Sequence, residues 1–259
     1  MHPFEEPAVA EGLSAVFVGS NDHSEPQQNV VVTNLCALSR HGILVPEHIP
    51  FSPNGEVTLA EVLVRGAEKH LVTEKNYDAL VEAYARQFAQ IRMGDPNDGQ
   101  TRLGPMVSKA QRDTLHEQVS KSVAQGARLV VGGEVPAKTG WFYPATVLAD
   151  VAPGQVAYED ELFGPAAAII KAKDDDDAMR IANDSRFGLG GGIFSRDVKR
   201  ARALATTFFD TGMVCINGFN VAGPTLPFGG VKASGYGREH GPEGLKEFVN
   251  IKSITLPAA

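Results

Sequence analysis

The chain has 259 residues, 43% of them hydrophobic, which suffices for the core of one large α/β domain. A formal net charge of -7 and a pI near 5.5 argue against a nucleic-acid or anionic-membrane partner, either of which needs a basic face. No apolar run approaches the roughly 18 residues that span a bilayer, the start "MHPFEEPAVAEG" lacks the order of a signal peptide, and two distant cysteines, Cys36 and Cys215, suit a reducing cytoplasm.

Residues 21–66 carry Pro46, Pro50 and Pro53 and no sustained period, and read as irregular, with at most brief strands at "NVVV" and "GILV". From about residue 68 the pattern changes. "HLVT" is strand-like, and "NYDALVEAYARQFAQIRMGDP" places Leu80, Val81, Tyr84, Phe88 and Ile91 on one helical face before Gly94 and Pro96 stop it. In "SKAQRDTLHEQVSKSVAQGARLVVGG" Ser108 caps, Leu115, Val119 and Val123 recur every four residues, Gly126 ends the helix and a strand follows. "AAAIIKA" is the near-continuous apolar run of a strand buried on both faces. A helix at "DDDDAMRIAND", a strand at "GGIF", a helix at "RDVKRARALATTF" and a strand at "GMVCING" complete the cycle. The fold class expected is α/β, a parallel or mixed sheet with helices on its faces.

Several motifs offer two readings. "FGLGGGIF" has the glycines of a dinucleotide loop, but a helix precedes it and a strand follows, the reverse of what a phosphate-binding helix N-terminus requires. Asp174 to Asp177 read as a helix cap rather than a cation site. Cys215 alternates with Val214 and Ile216 as a core residue. His41 and His48 match no zinc spacing, so no metal site is expected. "YEDELFGPA" sets a carboxylate, a ring and Gly-Pro at the entrance of a buried strand, which suits either a ligand edge or an ordinary turn. "LPFGGVKASGYGREHG" concentrates glycines around Phe228 and Tyr236, a loop for tight packing or for close approach of a ligand.

In order and spacing, "GDP" (94–96), "LGPMVS" (103–108), "GARLVVGG" (126–133), "ELFGP" (161–165), "ANDSRFGLGGGIFSRD", "GMVCING", "LPFGGVKASGYGREHGPEGL" and "IKSITLP" resemble the aldehyde dehydrogenase superfamily from roughly residue 68 onward. That family oxidises an aldehyde to a carboxylate. A cysteine forms a thiohemiacetal, hydride passes to NAD or NADP, and a glutamate activates the water that hydrolyses the thioester. The resemblance implies that Glu161 binds the nicotinamide ribose, that Phe163 packs near the nicotinamide, and that the loop from Phe219 to Phe228 lines the aldehyde tunnel. It implies a catalytic-domain-like unit over residues 1–250, with 21–66 divergent, and an oligomerisation strand and tail over 251–259.

The nucleophile is where this sequence departs from the family. The Gly-Gln-x-Cys column falls on Asn21, Asp22, His23 and Ser24; Cys36 in "CALSRHGILVP" and Thr58 in "NGEVTLA" are weaker echoes. The family's "ELGGK" general-base motif does not occur. The expectation is therefore a truncated family member that binds neither NAD nor NADP tightly on its own and is inactive alone. Its partners would be a small aldehyde and further copies of the chain or a full-length relative, not nucleic acid or membrane. Two rivals stand beside it: a non-catalytic assembly protein derived from the family, and a thiol esterase using Cys36 with His41.

Overall fold

Alternation with a period of two settles how the apolar strands are used. The computed structural model describes residues 31–35, 67–195, 197–217 and 223–256. Its main sheet contains β1 (Val31–Leu35), β2 (Ala67–Thr73), β3 (Arg128–Val131), β4 (Thr146–Ala149), β5 (Ala166–Ala172), β7 (Gly190–Phe194) and β8 (Val214–Ile216), in the order β3-β4-β5-β2-β1-β7-β8. β6 (Phe187–Gly188) and β9 (Val231–Lys232) form a separate small ribbon. The main sheet is mixed: β4, β5 and β2 run parallel, as do β7 and β8, while β1 lies antiparallel to both β2 and β7. β3 closes one edge antiparallel to β4.

On β5, Ala166, Ala168, Ile170 and Ala172 point to one core and Ala167 and Ile169 to the other. The first core takes Leu115 and Val119 from the helix Lys109–Ala124, Met179 and Ile181 from Asp175–Asn183, and Ala201 and Leu204 from Val198–Thr207. The second takes Tyr77, Leu80, Val81, Tyr84 and Phe88 from Glu74–Ala89. Helices thus cover both faces, as the buried run "AAAIIKA" requires. The capping residues act as read: Ser108 accepts from the Gln111 N–H at 3.1 Å, and Asp174 from the Asp177 N–H at 2.9 Å.

Two expectations need correction. Val123 is 38% exposed, and Ser122 takes its place inside. At 3.6 residues per turn the buried stripe drifts from Leu115 and Val119 to position 122, not 123. The Ser122 hydroxyl is satisfied there, donating to the Gln118 carbonyl at 2.8 Å and accepting from the Ala157 N–H at 2.9 Å. Ile91 lies past the end of its helix. β1, at Val31–Leu35, takes up the second half of the expected "NVVV", and "GILV" lies outside the described residues.

The corner after β4 is held by one tyrosine. The Tyr77 hydroxyl donates to Asp150 Oδ1 at 2.9 Å and accepts from the Asp150 N–H at 2.5 Å, while Arg128 Nε reaches Asp150 Oδ2 at 2.7 Å. Asp150 has φ 56, a left-handed conformation that a non-glycine residue keeps only when its surroundings hold it. Burial, reinforced by the Asp150 carboxylate, pushes the Tyr77 hydroxyl up to about 12, so it stays a donor across the ordinary pH range. Tyr77→Phe should lower unfolding stability by about 1–3 kcal/mol, read as a lower denaturation midpoint in urea with an unchanged slope. An unchanged midpoint would remove this corner from the account.

Candidate functional site

The segment "YEDELFGPA" begins in the last residues of a short helix, Val156–Glu159, and continues as a turn that delivers the chain into β5. The turn is tied down from three sides. Lys69 on β2 donates through Nζ to the Tyr158 carbonyl, and the Tyr158 hydroxyl donates to Asp184 Oδ2 at 2.7 Å. From the helix Lys109–Ala124, Gln118 donates to the Glu161 carbonyl at 3.0 Å and Gln111 to the Phe163 carbonyl at 3.2 Å. Leu162 is buried in the core between them. Gly164 lies so close to the same helix that a Cβ there would stand 2.4 Å from Leu115 Cδ2 and 3.2 Å from Met106 Cε. Leu115 is itself buried and has little room to give, so only glycine lets the turn seat at this depth.

The outcome is a carboxylate and a ring two residues apart on one rigid turn. Phe163 has φ 36 and keeps 42% of its surface exposed. A bulky residue in left-handed backbone is strained, and strain of this kind gathers where a side chain must face a ligand. Glu161 is half-buried, and its Oε1 is shut away from solvent with no hydrogen-bond partner among the described residues. Burial raises its proton affinity above the ordinary glutamate range, and the charge of Lys69 opposes that rise in part. A buried oxygen with no donor is an acceptor held ready for one.

The other candidate residues fall elsewhere. Phe228 is partly buried against the second core in a different loop, exchanging backbone hydrogen bonds with Glu239 at 2.7 and 2.6 Å, its ring 5.9 Å from that of His240. Cys215 lies in β8, half-buried and packed on the same core. Ser24, Cys36, His41, His48, Thr58 and Phe219 lie outside the described residues. Among the described residues no group of three His, Cys, Asp or Glu side chains could hold a metal ion, and no helix is long and apolar enough to cross a membrane. Sequence reasoning passed over Lys69, Gln111 and Gln118. None of the three left a local signal: Lys69 stands in the polar run "EKH", and the two glutamines lie on the polar side of their helix pattern.

A mixed sheet with helices on both faces and a carboxylate-and-ring turn at a strand entrance defines a class of α/β enzyme fold. The chain belongs to the aldehyde dehydrogenase family, whose sequence model matches residues 65–254. It is 46% identical over 188 residues to the succinate semialdehyde dehydrogenase [NAD(P)+] Sad of Escherichia coli K12, an alignment covering 73% of this chain and 40% of that protein. Identity to a succinate-semialdehyde dehydrogenase [NADP(+)] of Deinococcus radiodurans is 43% over 188 residues, 73% of this chain and 39% of the relative. The structure resembles that of succinic semialdehyde dehydrogenase from Streptococcus pyogenes in complex with NADP+, with a TM-score of 0.71 and 37% identity over 74% of this chain and 42% of that one. It also resembles a Mycobacterium tuberculosis aldehyde dehydrogenase complexed with NAD+, with a TM-score of 0.70 and 37% identity over 74% of this chain and 40% of the other. The match thus spans about two-fifths of the length of these curated relatives.

The environment of Glu161 sets a pH test. Its folded state holds the proton more tightly than the unfolded chain does, so its contribution to stability is fully present below the ordinary glutamate value and is lost as pH rises through the raised folded one. Glu161→Gln removes this loss. The thermal midpoint of the variant should gain on the wild type as pH rises from about 4 to about 7, with the gap closing at the acid end. A pH-independent difference would show that the carboxylate is not held out of water.

Proposed function

We propose that this chain supplies catalytic-domain machinery of an NAD(P)-dependent aldehyde dehydrogenase acting on succinate semialdehyde or a similar short aldehyde that itself carries a carboxylate. The observation that carries the reading is the turn: the unpartnered Glu161 oxygen beside the outward-facing Phe163. These two residues fit part of a nicotinamide nucleotide. A carboxylate is an acceptor suited to ribose hydroxyls, and an exposed ring gives a flat apolar surface for a heteroaromatic one. The bound nucleotide supplies the hydride acceptor, and Glu161 and Phe163 orient its ribose and ring. The identity of the substrate class rests on the relatives, which are succinate semialdehyde dehydrogenases by name. Phe219 and Phe228 are assigned to the aldehyde's path by resemblance, and residues 1–250 to one catalytic-domain-like unit preceding a tail over 251–259.

On this reading the chain alone does not turn over. The sequence contains neither an "ELGGK" segment nor a Gly-Gln-x-Cys segment, and loss of a general base by itself costs ~10²–10⁴ in rate. Calorimetry should find no micromolar affinity for NAD+ or NADP+, and succinate semialdehyde should produce no reduced cofactor. Turnover would contradict the reading. In that event Cys36→Ala and Ser24→Ala identify the nucleophile, and cofactor-independent thiol-ester hydrolysis lost in Cys36→Ala would favour the esterase.

One observation favours a second reading, assembly without catalysis. Phe248, Ile251, Ile254 and Leu256 near the end of the described chain are 82% to 89% exposed, and residues 251–256 form no strand. Exposed apolar residues on a segment outside any strand are a template for pairing with another chain. The segment is assigned to a homo-oligomer, most simply a two-fold dimer, or to a contact with a full-length relative. Light scattering should show a dimer or larger for the whole chain and a smaller species for a chain ending at Phe248. A monomeric whole chain, or an oligomer indifferent to the cut, would rule out the tail.

A further inference from the structure

β2 carries a buried lysine, next to the equally buried His70 and ahead of the apolar pair Leu71 and Val72. Lys69 is only 4% exposed, pairs with Ala168 of β5 in the sheet and reaches with its side chain to the turn that holds Glu161. An ammonium taken out of water needs hydrogen bonds and an opposite charge, or it costs several kcal/mol. Its Nζ donates to the Tyr158 carbonyl and lies 5.8 Å from the Tyr158 ring centroid. A polar cavity of about 10 Å³, the space of one water, adjoins it and is lined in part by Tyr158, Asp184 and Ser185. Two carboxylates share this setting: Asp184, which lines the cavity with Lys69, and Glu161, three residues beyond the carbonyl that Lys69 holds, whose proton affinity the charge of Lys69 lowers against burial.

We propose that Lys69 is a positioning residue for Glu161: its bond to Tyr158 docks the turn on the sheet, and its charge keeps the half-buried carboxylate as an acceptor. What that acceptor serves rests on the reading of Glu161 as the contact to a nucleotide's ribose. A protonated carboxyl presents an O–H and loses part of its accepting capacity, whereas the ionised form receives two hydroxyls at once. Burial works toward the protonated form and Lys69 against it. The other groups around the turn do not share the task. Tyr158 is held neutral by burial and by its bond to Asp184, and Arg186 is engaged by Asp160 at 2.8 Å. From the helix Lys109–Ala124 come the uncharged Gln111 and Gln118, while His116 faces the Tyr143 hydroxyl at 3.4 Å.

The test is carbon-13 NMR of the full chain labelled at glutamate carboxyls, with the Glu161 resonance assigned by its loss in Glu161→Gln. In Lys69→Met the Glu161 titration midpoint should rise by about one pH unit or more, and in Lys69→Arg it should return to within a few tenths of the wild type, because charge rather than shape is restored. An unchanged midpoint in Lys69→Met overturns the proposal. Should Lys69→Met fail to fold, Lys69→Met/Glu161→Gln decides: recovery of the folded state supports the pairing, and an unfolded double variant overturns it by making Lys69 a packing residue only. Saturation-transfer NMR with millimolar NADP+ keeps the two readings apart. Loss of ribose signals in Glu161→Gln supports the cofactor role, and their persistence sinks that role while the Glu161 titration still judges Lys69.

Discussion

A carboxylate oxygen removed from water without a hydrogen-bond partner is a standing cost, and the fold of this chain is arranged around tolerating it at Glu161. The turn that bears it cannot relax toward solvent. Lys69 holds it from the sheet, Gln111 and Gln118 hold its carbonyls from a helix, Leu162 anchors it in the core, and Gly164 lets it sit against Leu115. These contacts come from β2, from the helix Lys109–Ala124 and from the core between them, so the turn is rigid only when strand and helix are both in place. Natural sites commonly give up stability in this way for a group prepared for its ligand.

The packing beneath the turn follows from elementary periodicities. Small residues along β5 let helices approach closely from both faces, and the sheet gains a double-sided core in exchange. The helix Lys109–Ala124 buries Leu115 and Val119 inward and extends two glutamines sideways to the turn. One amphipathic helix therefore serves both the core and the site. That linkage ties the core residues of the helix, and the cap at Ser108 that starts it, to the position of the turn.

Most of the fold from residue 67 onward was legible because its strands and helices carry strong, uninterrupted periods: "AAAIIKA", the stripe from Leu80 to Phe88, and the caps at Ser108 and Asp174. What escaped was set by tertiary contact. β4, "TVLA", is only four residues long and begins with a threonine, and its burial comes from being paired on both sides. Ser122 reads as a surface residue until its hydroxyl finds two backbone partners. At the site, "ELFGP" was legible as a carboxylate and a ring at a strand entrance, with a turn as an equal alternative. The partners that give the pair its character lie 92 (Lys69) and 43 (Gln118) residues away from Glu161 or nearby positions in sequence, a separation no local pattern encodes. The stretch with the thiol in "NLCALSRHG" remains assigned by sequence alone, its Cys36 standing outside both the family match and the described residues.

The central claim is that the turn from Tyr158 to Pro165 is the surface this chain presents to a nicotinamide nucleotide. Amide proton–nitrogen NMR during a titration with NADP+ into the millimolar range tests it most directly, because weak contact suffices to move shifts. The account predicts that the largest perturbations fall within residues 158–165 and the ends of Gln111 and Gln118, with the β3 edge unmoved. Perturbations centred elsewhere, with that turn silent, would contradict it.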